Sequence, residues 1–240
     1  VTPALLHGHE TWVWLTTSPL FGITITVAGY ALGRVLHERS GSPVLQPVLV
    51  AIVVIVVVLK VCGISYDHYL VGGSYVGFWL GPATVALAVP LHDEWHLVRK
   101  AWLPIGLGVV AGTVVSIASA ILVTTAAGGS RVLQLTMAPK AATTPVSLAL
   151  STQIGGIPAL TAVLTIIAGI TGAIWGPPIL DRLGVTDLRA RGIAMGSVSH
   201  GIGTARALAE SRTEGAFSAL CMGLTAVATS VLVPLLILVG

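Results

Sequence analysis

Apolar residues in this chain fall into runs long enough to cross a bilayer, and short polar clusters separate them. The first clear run, Ser18 to Leu36, ends among Arg34, His37, Glu38 and Arg39 and meets the breaker Ser40-Gly41-Ser42-Pro43. The second, Val44 to Val61, holds the β-branched run Ala51 to Leu59, which continues past strand length and reads as a spanning helix. Tyr66 to Leu91 is less regular, with Gly72-Gly73, Gly77 and then Gly81-Pro82, and predicts a discontinuous or re-entrant segment. His92 to Lys100 reads as a charged loop. Pro104 to Ala127 reads as a long uncharged span whose small residues permit close helix packing.

The second half repeats the theme. Val132 to Thr152 is apolar but broken by Pro139-Lys140 and by Thr143-Thr144-Pro145, which a plain lipid-facing helix would not carry. Pro158 to Trp175 is the next span, closed by Gly176-Pro177-Pro178 and followed by the basic loop Asp181 to Arg191. Gly192 to Gly203 is short and glycine-rich, and a polar stretch with Arg206, Glu210, Arg212 and Glu214 leads into the last span, Ala216 to Val239. At about 20 residues per crossing there is room for about seven or eight membrane segments. The expected fold is an all-α polytopic membrane protein, one integral domain over 1–240 with two discontinuous segments.

Composition agrees. Hydrophobic residues make up 55% of the 240 and charged residues only 9%, against roughly 25% charged in a soluble domain, so there is no room for a soluble domain. The net charge of +3 lies in short clusters between apolar runs, which reads as topology rather than nucleic-acid binding. Cys62 and Cys221 lie far apart with no metal or redox spacing and read as buried free thiols. No cofactor or metal is expected. The polar start with His7, His9 and Glu10 does not read as a signal peptide.

Two stretches look alike: aligning Pro82 with Pro145 pairs Thr84 with Ser147 and Leu87 with Leu150. The basic loops Arg34 to Arg39, Arg99-Lys100 and Arg182 to Arg191 all belong on the cytoplasmic side by the positive-inside rule. Val132 to Thr152 must then enter and leave on one side. Two inverted units, 18–127 and 131–240, with broken segments at Gly81, Pro82, Pro139, Pro145, Gly201 and Gly203, are the plan of many secondary transporters.

Between Arg131 and Asp181 the one charged residue is Lys140, in mid-segment. An ionisable group at that depth faces a cavity or a partner, or snorkels to the interface. Thr143 and Thr144 follow three and four residues on, so a half-helix from Thr143 would set their hydroxyls and its free N–H groups at a positive end, a ready anion ligand. The second constellation is Ser197, Ser199, His200, Thr204 and Arg206, with Gly201 and Gly203 allowing close backbone approach. His200 is either a packed core histidine or a proton carrier. Glu214 is either its carboxylate partner or a solvated loop charge. Gly201-Ile-Gly203 lacks the strand and third glycine of a dinucleotide site, and Ser199-His200 has no catalytic spacing, so no enzyme is expected.

At these residues the chain resembles the LrgB/CidB family: MAPKAATTPVSLAL (137–150), IGGIPALTAV (154–163), ARGIAMGSVSHGIGTARA (190–207) and EGAFSAL (214–220), with QPVLVA (46–51), GISYDHYLVGG (63–73) and GPATVALAVPL (81–91) before them. Gln46 stands where the family usually has Asn, and His92 where an aromatic residue commonly follows Pro-Leu. The resemblance implies a bacterial cytoplasmic-membrane protein, often encoded beside a small LrgA/CidA-type membrane partner. It implies either a holin/antiholin-like modulator of murein hydrolases and lysis, or a carrier of small carboxylates related to the plastidial glycolate/glycerate transporter. Its motif residues fall on Lys140, Thr143, Thr144, Ser199, His200, Thr204, Arg206 and Glu214. By analogy with broken-helix carriers, a homodimer is expected.

Overall fold

In lipid every backbone N–H and C=O must be satisfied within the chain, so an apolar sequence of this kind folds as helices. The computed structural model describes residues 13–42 and 45–239, and its regular elements there are all helical. The polar start at His7, His9 and Glu10, and the breaker residue Pro43 with Val44, lie outside the described residues. The chain divides into two compact units between Ala86 and Leu87.

The first unit holds α1 (Pro19–Ser40), α2 (Pro47–Val61), α3 (Tyr66–Phe78) and α4 (Leu80–Ala86). Proline opens α1 and α2 at the position where a missing N–H costs nothing. Gln46 caps α2, its Oε1 accepting from Val48 N at 3.1 Å and Leu49 N at 3.3 Å, so the residue that departs from the family pattern closes a helix start. The run Ala51 to Leu59 is helical as expected. α1 and α3 cross backbone to backbone: a Cβ built on Gly72 would lie 2.1 Å from Pro19 O. Thr26 and Tyr69 join hydroxyls at 2.9 Å beside that crossing.

The second unit holds α5 (Ala88–Asp93), α6 (Trp95–Lys100), α7 (Trp102–Ala126), α8 (Arg131–Met137), α9 (Thr144–Ile154), α10 (Pro158–Arg182), α11 (Leu188–Glu210) and α12 (Arg212–Val239). Three expectations need correcting. His92 to Lys100 is not a loop but the end of α5 and all of α6, because its acids find partners on α12: Asp93 accepts from Arg212 at 2.7 Å and Glu94 from Thr213 at 3.2 Å. Pro177-Pro178 does not end the fourth long span, since α10 runs on to Arg182; a membrane helix tolerates proline when its neighbours satisfy the freed carbonyls. Cys221 is buried, but Cys62, at the end of α2, is exposed.

Five stretches are long and apolar enough to cross a membrane: Pro19–Ser40, Tyr66–Asp93, Trp102–Ala126, Pro158–Arg182 and Arg212–Leu235. Tyr66–Asp93 is interrupted at Trp79 and Leu87, and Gly81-Pro82 lie between those two points, inside α4. α8 and α9, of 7 and 11 residues, reach about 10 and 16 Å, so neither can span a core of about 30 Å. α11 has 23 residues but carries Arg189, Arg191, Arg206 and Glu210.

Asp187 caps α11, its Oδ1 accepting from Arg189 N at 2.8 Å, and the Arg189 guanidinium closes on the same carboxylate. These bonds, the side-chain one first, hold the carboxyl down at about 2 from an ordinary 3.8. The folded value is the depressed one, so the stabilisation is present above about pH 4 and fades as pH falls through about 2. The group is solvent-exposed, so screening keeps the effect small. Asp187→Ala should lower stability in detergent by about 1 kcal/mol at pH 7 and by less at pH 2, where the charge-assisted part of the bonds to Arg189 is fading, while Asp187→Asn keeps the neutral cap; equal losses at both pH values would contradict this.

Candidate functional site

α11 is the central helix of the second unit, and small residues let three neighbours close on it. α7 meets it at Gly108, where an added Cβ would lie 2.6 Å from the Ile193 side chain, and at Gly112, against Ser197. α10 meets it along Gly169, Gly172 and Gly176, which face His200, Ser199 and Met195. α12 meets it where Gly192 and Gly196 lie on the Glu214 and Ser218 carbonyls. These contacts recur at three- and four-residue steps, the spacing of a helical stripe.

α11 breaks at His200, whose φ of 40° and ψ of −136° are non-helical. Among the described residues it is the one non-glycine residue with positive φ, and such a conformation costs about 1–3 kcal/mol unless its surroundings hold it. They do. The ring Nε2 lies 2.8 Å from Thr165 O, and Thr204 donates its hydroxyl to His200 O at 2.8 Å. Gly169 makes the room: a Cβ there would lie 2.4 Å from the imidazole. Thr204 also meets Ser218 on α12 at 2.9 Å. The hydroxyls of Thr165, Ser197 and Ser199 are buried around this break with no protein hydrogen-bond partner.

The second broken element is the turn between α8 and α9. Pro139 follows the end of α8 and Pro145 sits in the first turn of α9, so the chain between them leaves the helix. Ser147 ties the turn shut, donating to Pro139 O at 2.7 Å and sharing a 3.2 Å contact with Ala142 O. A second clasp lies at the far end of α9, where Thr161 donates to Thr136 O at 2.9 Å and lies 2.7 Å from Ser151 Oγ. Thr143 is at the cap position of α9, without a side-chain cap hydrogen bond, and Thr144 is its first residue. The first N–H groups of α9 have no intrahelical acceptor, as at any helix start.

Lys140 extends from this turn to α7, donating to Ser116 O at 3.0 Å and to Ser116 Oγ at 3.3 Å. Ser116 lies about 21 Å from the start of α7 and about 15 Å from its end, so the ammonium meets α7 near the middle of that helix. Among the described residues no acid pairs with it. Ser197 packs against Gly112, one turn along α7 from Ser116 and about 6 Å away. One face of α7 thus receives both the Lys140 turn and the stretch of α11 that leads into the His200 break.

Two predicted residues stand elsewhere. Arg206 pairs with Glu210 one turn along its own helix; two positions from Thr204 is about 200° around a helix, the opposite face. Glu214 is not a solvated loop charge. It is 2% exposed and lies 3.5 Å from Arg191, which also bonds Asp181 at 2.6 Å; it therefore belongs to a pair at the start of α11 rather than to His200. Gly203 accommodates the Ser199 side chain, whereas a Cβ added at Gly201 would meet only Met222, at an ordinary 3.9 Å. Sequence reasoning missed Ser116, Thr165 and the clasp of Thr136, Ser151 and Thr161, whose hydroxyls carry no local signal of their partners.

Five stretches long and apolar enough to cross a membrane define a multi-pass α-helical membrane protein, and its second unit holds a helix broken at a buried histidine. The chain belongs to the LrgB-like family, whose profile matches residues 26–239. It is 38% identical over 215 residues to the uncharacterized protein YxaC of Bacillus subtilis, covering 90% of this chain and 94% of that one. It is 34% identical over 216 residues to the holin-like protein CidB of Staphylococcus epidermidis, covering 90% and 94%. It is 32% identical over 221 residues to the antiholin-like protein LrgB of Bacillus mycoides, covering 92% and 96%. No solved structure matches the chain.

Proposed function

We propose that the chain carries small monocarboxylate anions, of the glycolate, glycerate, pyruvate or lactate type, across the membrane with proton coupling. The observation that carries this reading is Lys140, an ammonium near mid-helix whose protein partners are the carbonyl and hydroxyl of one serine. Charge at that depth is costly and marks solute pathways. Thr143, Thr144 and the start of α9 add neutral donors, a combination suited to a carboxylate. The buried hydroxyls of Ser197, Ser199 and Thr165 supply further unmatched donors beside His200, the proton-carrying candidate. Irregular backbone inside a membrane protein is tolerated where it is buried in protein or lines a cavity, and carriers place their sites at such breaks.

A second reading is favoured by the names of the relatives, holin-like CidB and antiholin-like LrgB: a membrane protein that modulates murein hydrolase activity and lysis. That role needs no fixed anion site and leaves the position of Lys140 unexplained. Uptake of labelled glycolate, glycerate, pyruvate and lactate into proteoliposomes separates the two. A carrier saturates with substrate and responds to an imposed pH gradient. Flux that rises linearly for every solute, or no flux at all, would reject the carrier and leave the holin-like role.

A further inference from the structure

A groove lies away from the Lys140 and His200 breaks, between α6, the start of α7 and the middle of α12. Its volume is about 360 Å³, the size of a small-ligand site. Trp95, Arg99 and Trp102 line it from α6 and the first residue of α7, while Ile105, Leu220 and Leu224 line it from further inside the spanning helices. The residues recur at helical spacing, Trp95 with Arg99, Trp102 with Ile105, Leu220 with Leu224, so each helix turns one face to the groove.

The two ends ask for different chemistry. Both indoles are more than half exposed, as tryptophans are at the interface level of a bilayer. The acids closest in sequence are already engaged, Asp93 by Arg212 and Glu94 by Thr213. Arg99 and the neighbouring Lys100 have no acidic partner among the described residues. Beyond Trp102 the groove passes along the apolar start of a spanning helix. An occupant must be anionic at one end and hydrocarbon along the other.

We propose that this groove binds an anionic phospholipid, its phosphate at the Arg99 guanidinium between the two indoles and one acyl chain along Ile105, Leu220 and Leu224. Guanidinium meets phosphate through paired charge-assisted hydrogen bonds, and basic pockets beside membrane helices recognise anionic headgroups in this way. Gly106, on the same lining, has no atom within 4 Å of an added Cβ, so the groove is open where a chain would lie. The assignment is independent of what the protein transports.

The test is native mass spectrometry of the full chain in neutral detergent, titrated with phosphatidylglycerol or phosphatidylcholine of the same acyl chains. Phosphatidylglycerol should be retained about tenfold more strongly. Arg99→Gln should remove that preference, as expected for loss of a charge-assisted bond, and Arg99→Lys should restore part of it. Gly106→Phe should fill the groove and cut retention with the melting temperature unchanged. Equal binding of the two lipids would overturn the proposal, as would phosphatidylglycerol retention unaffected by Arg99→Gln. A Gly106→Phe variant that changes oligomeric state while keeping its lipid would assign the groove to a second copy of the chain instead. Should Gly106→Phe fail to fold, the Arg99→Gln and Arg99→Lys pair still decides.

Discussion

Gly196→Leu should yield no folded protein. A Cβ at position 196 would lie 2.1 Å from Ser218 O and 2.8 Å from the Ser218 carbonyl carbon, so even its first atom meets backbone, which cannot rotate aside as a side chain can. The same crossing holds the Thr204 to Ser218 hydroxyl contact, so prying the helices apart also breaks the clasp below the His200 kink. Overpacking in a tight core costs about 1–3 kcal/mol where side chains can give way; a leucine driven against main chain, which cannot, costs more than that and becomes comparable with a total stability of about 5–15 kcal/mol. The control is Gly223→Leu on α12, where an added Cβ meets nothing within 4 Å. Size-exclusion profiles in detergent should show aggregate for the first and a wild-type peak for the second. A Gly196→Leu protein that elutes and melts like wild type would disprove the crossing.

Arg191→Ala should be the next most damaging change. Its side chain is 12% exposed and its Nε lies beside the Glu214 carboxylate, itself 2% exposed, while its Nη1 donates to both Asp181 and the Val185 carbonyl. Removing one member of a buried pair leaves the other charged and undersolvated, a loss of about 3–5 kcal/mol. Two effects contribute: the stranded carboxylate, and the untied turn between α10 and α11. Adding Glu214→Gln removes the first and not the second, so the double variant should regain part of the lost melting temperature. Thermal unfolding of the four proteins forms a double-mutant cycle. An Arg191→Ala protein as stable as wild type would mean that the pair does not hold α11 to α12.

The contrast between the two broken elements explains what was legible. The α8–α9 turn announces itself locally, because Pro139 and Pro145 each remove a backbone donor and sit either side of Lys140. The break at His200 does not, since no proline marks it. Gly201 and Gly203 hint at close approach, yet the residue in the unusual conformation is the histidine, held by a carbonyl 35 positions earlier and by space left at Gly169. Glu214 was unreadable for the same reason: its cation lies in a different helix. The face of Arg206 was readable from helix geometry alone, since two positions from Thr204 is the far side. Charged residues at 92–100 suggested a loop because sequence shows charge but not the partners, Arg212 and Thr213, that let the segment remain helical against α12.

Lys140 is the residue on which the carrier reading rests, so labelled-carboxylate flux through Lys140→Ala in proteoliposomes tests it most directly. Ser116 and the Ser147 clasp survive that substitution, so the variant should fold and melt close to wild type. Its saturable uptake should fall at least tenfold, the scale of losing one charge-assisted contact to the anion. A folded Lys140→Ala protein with wild-type uptake and KM would contradict the assignment of the α8–α9 turn as an anion site.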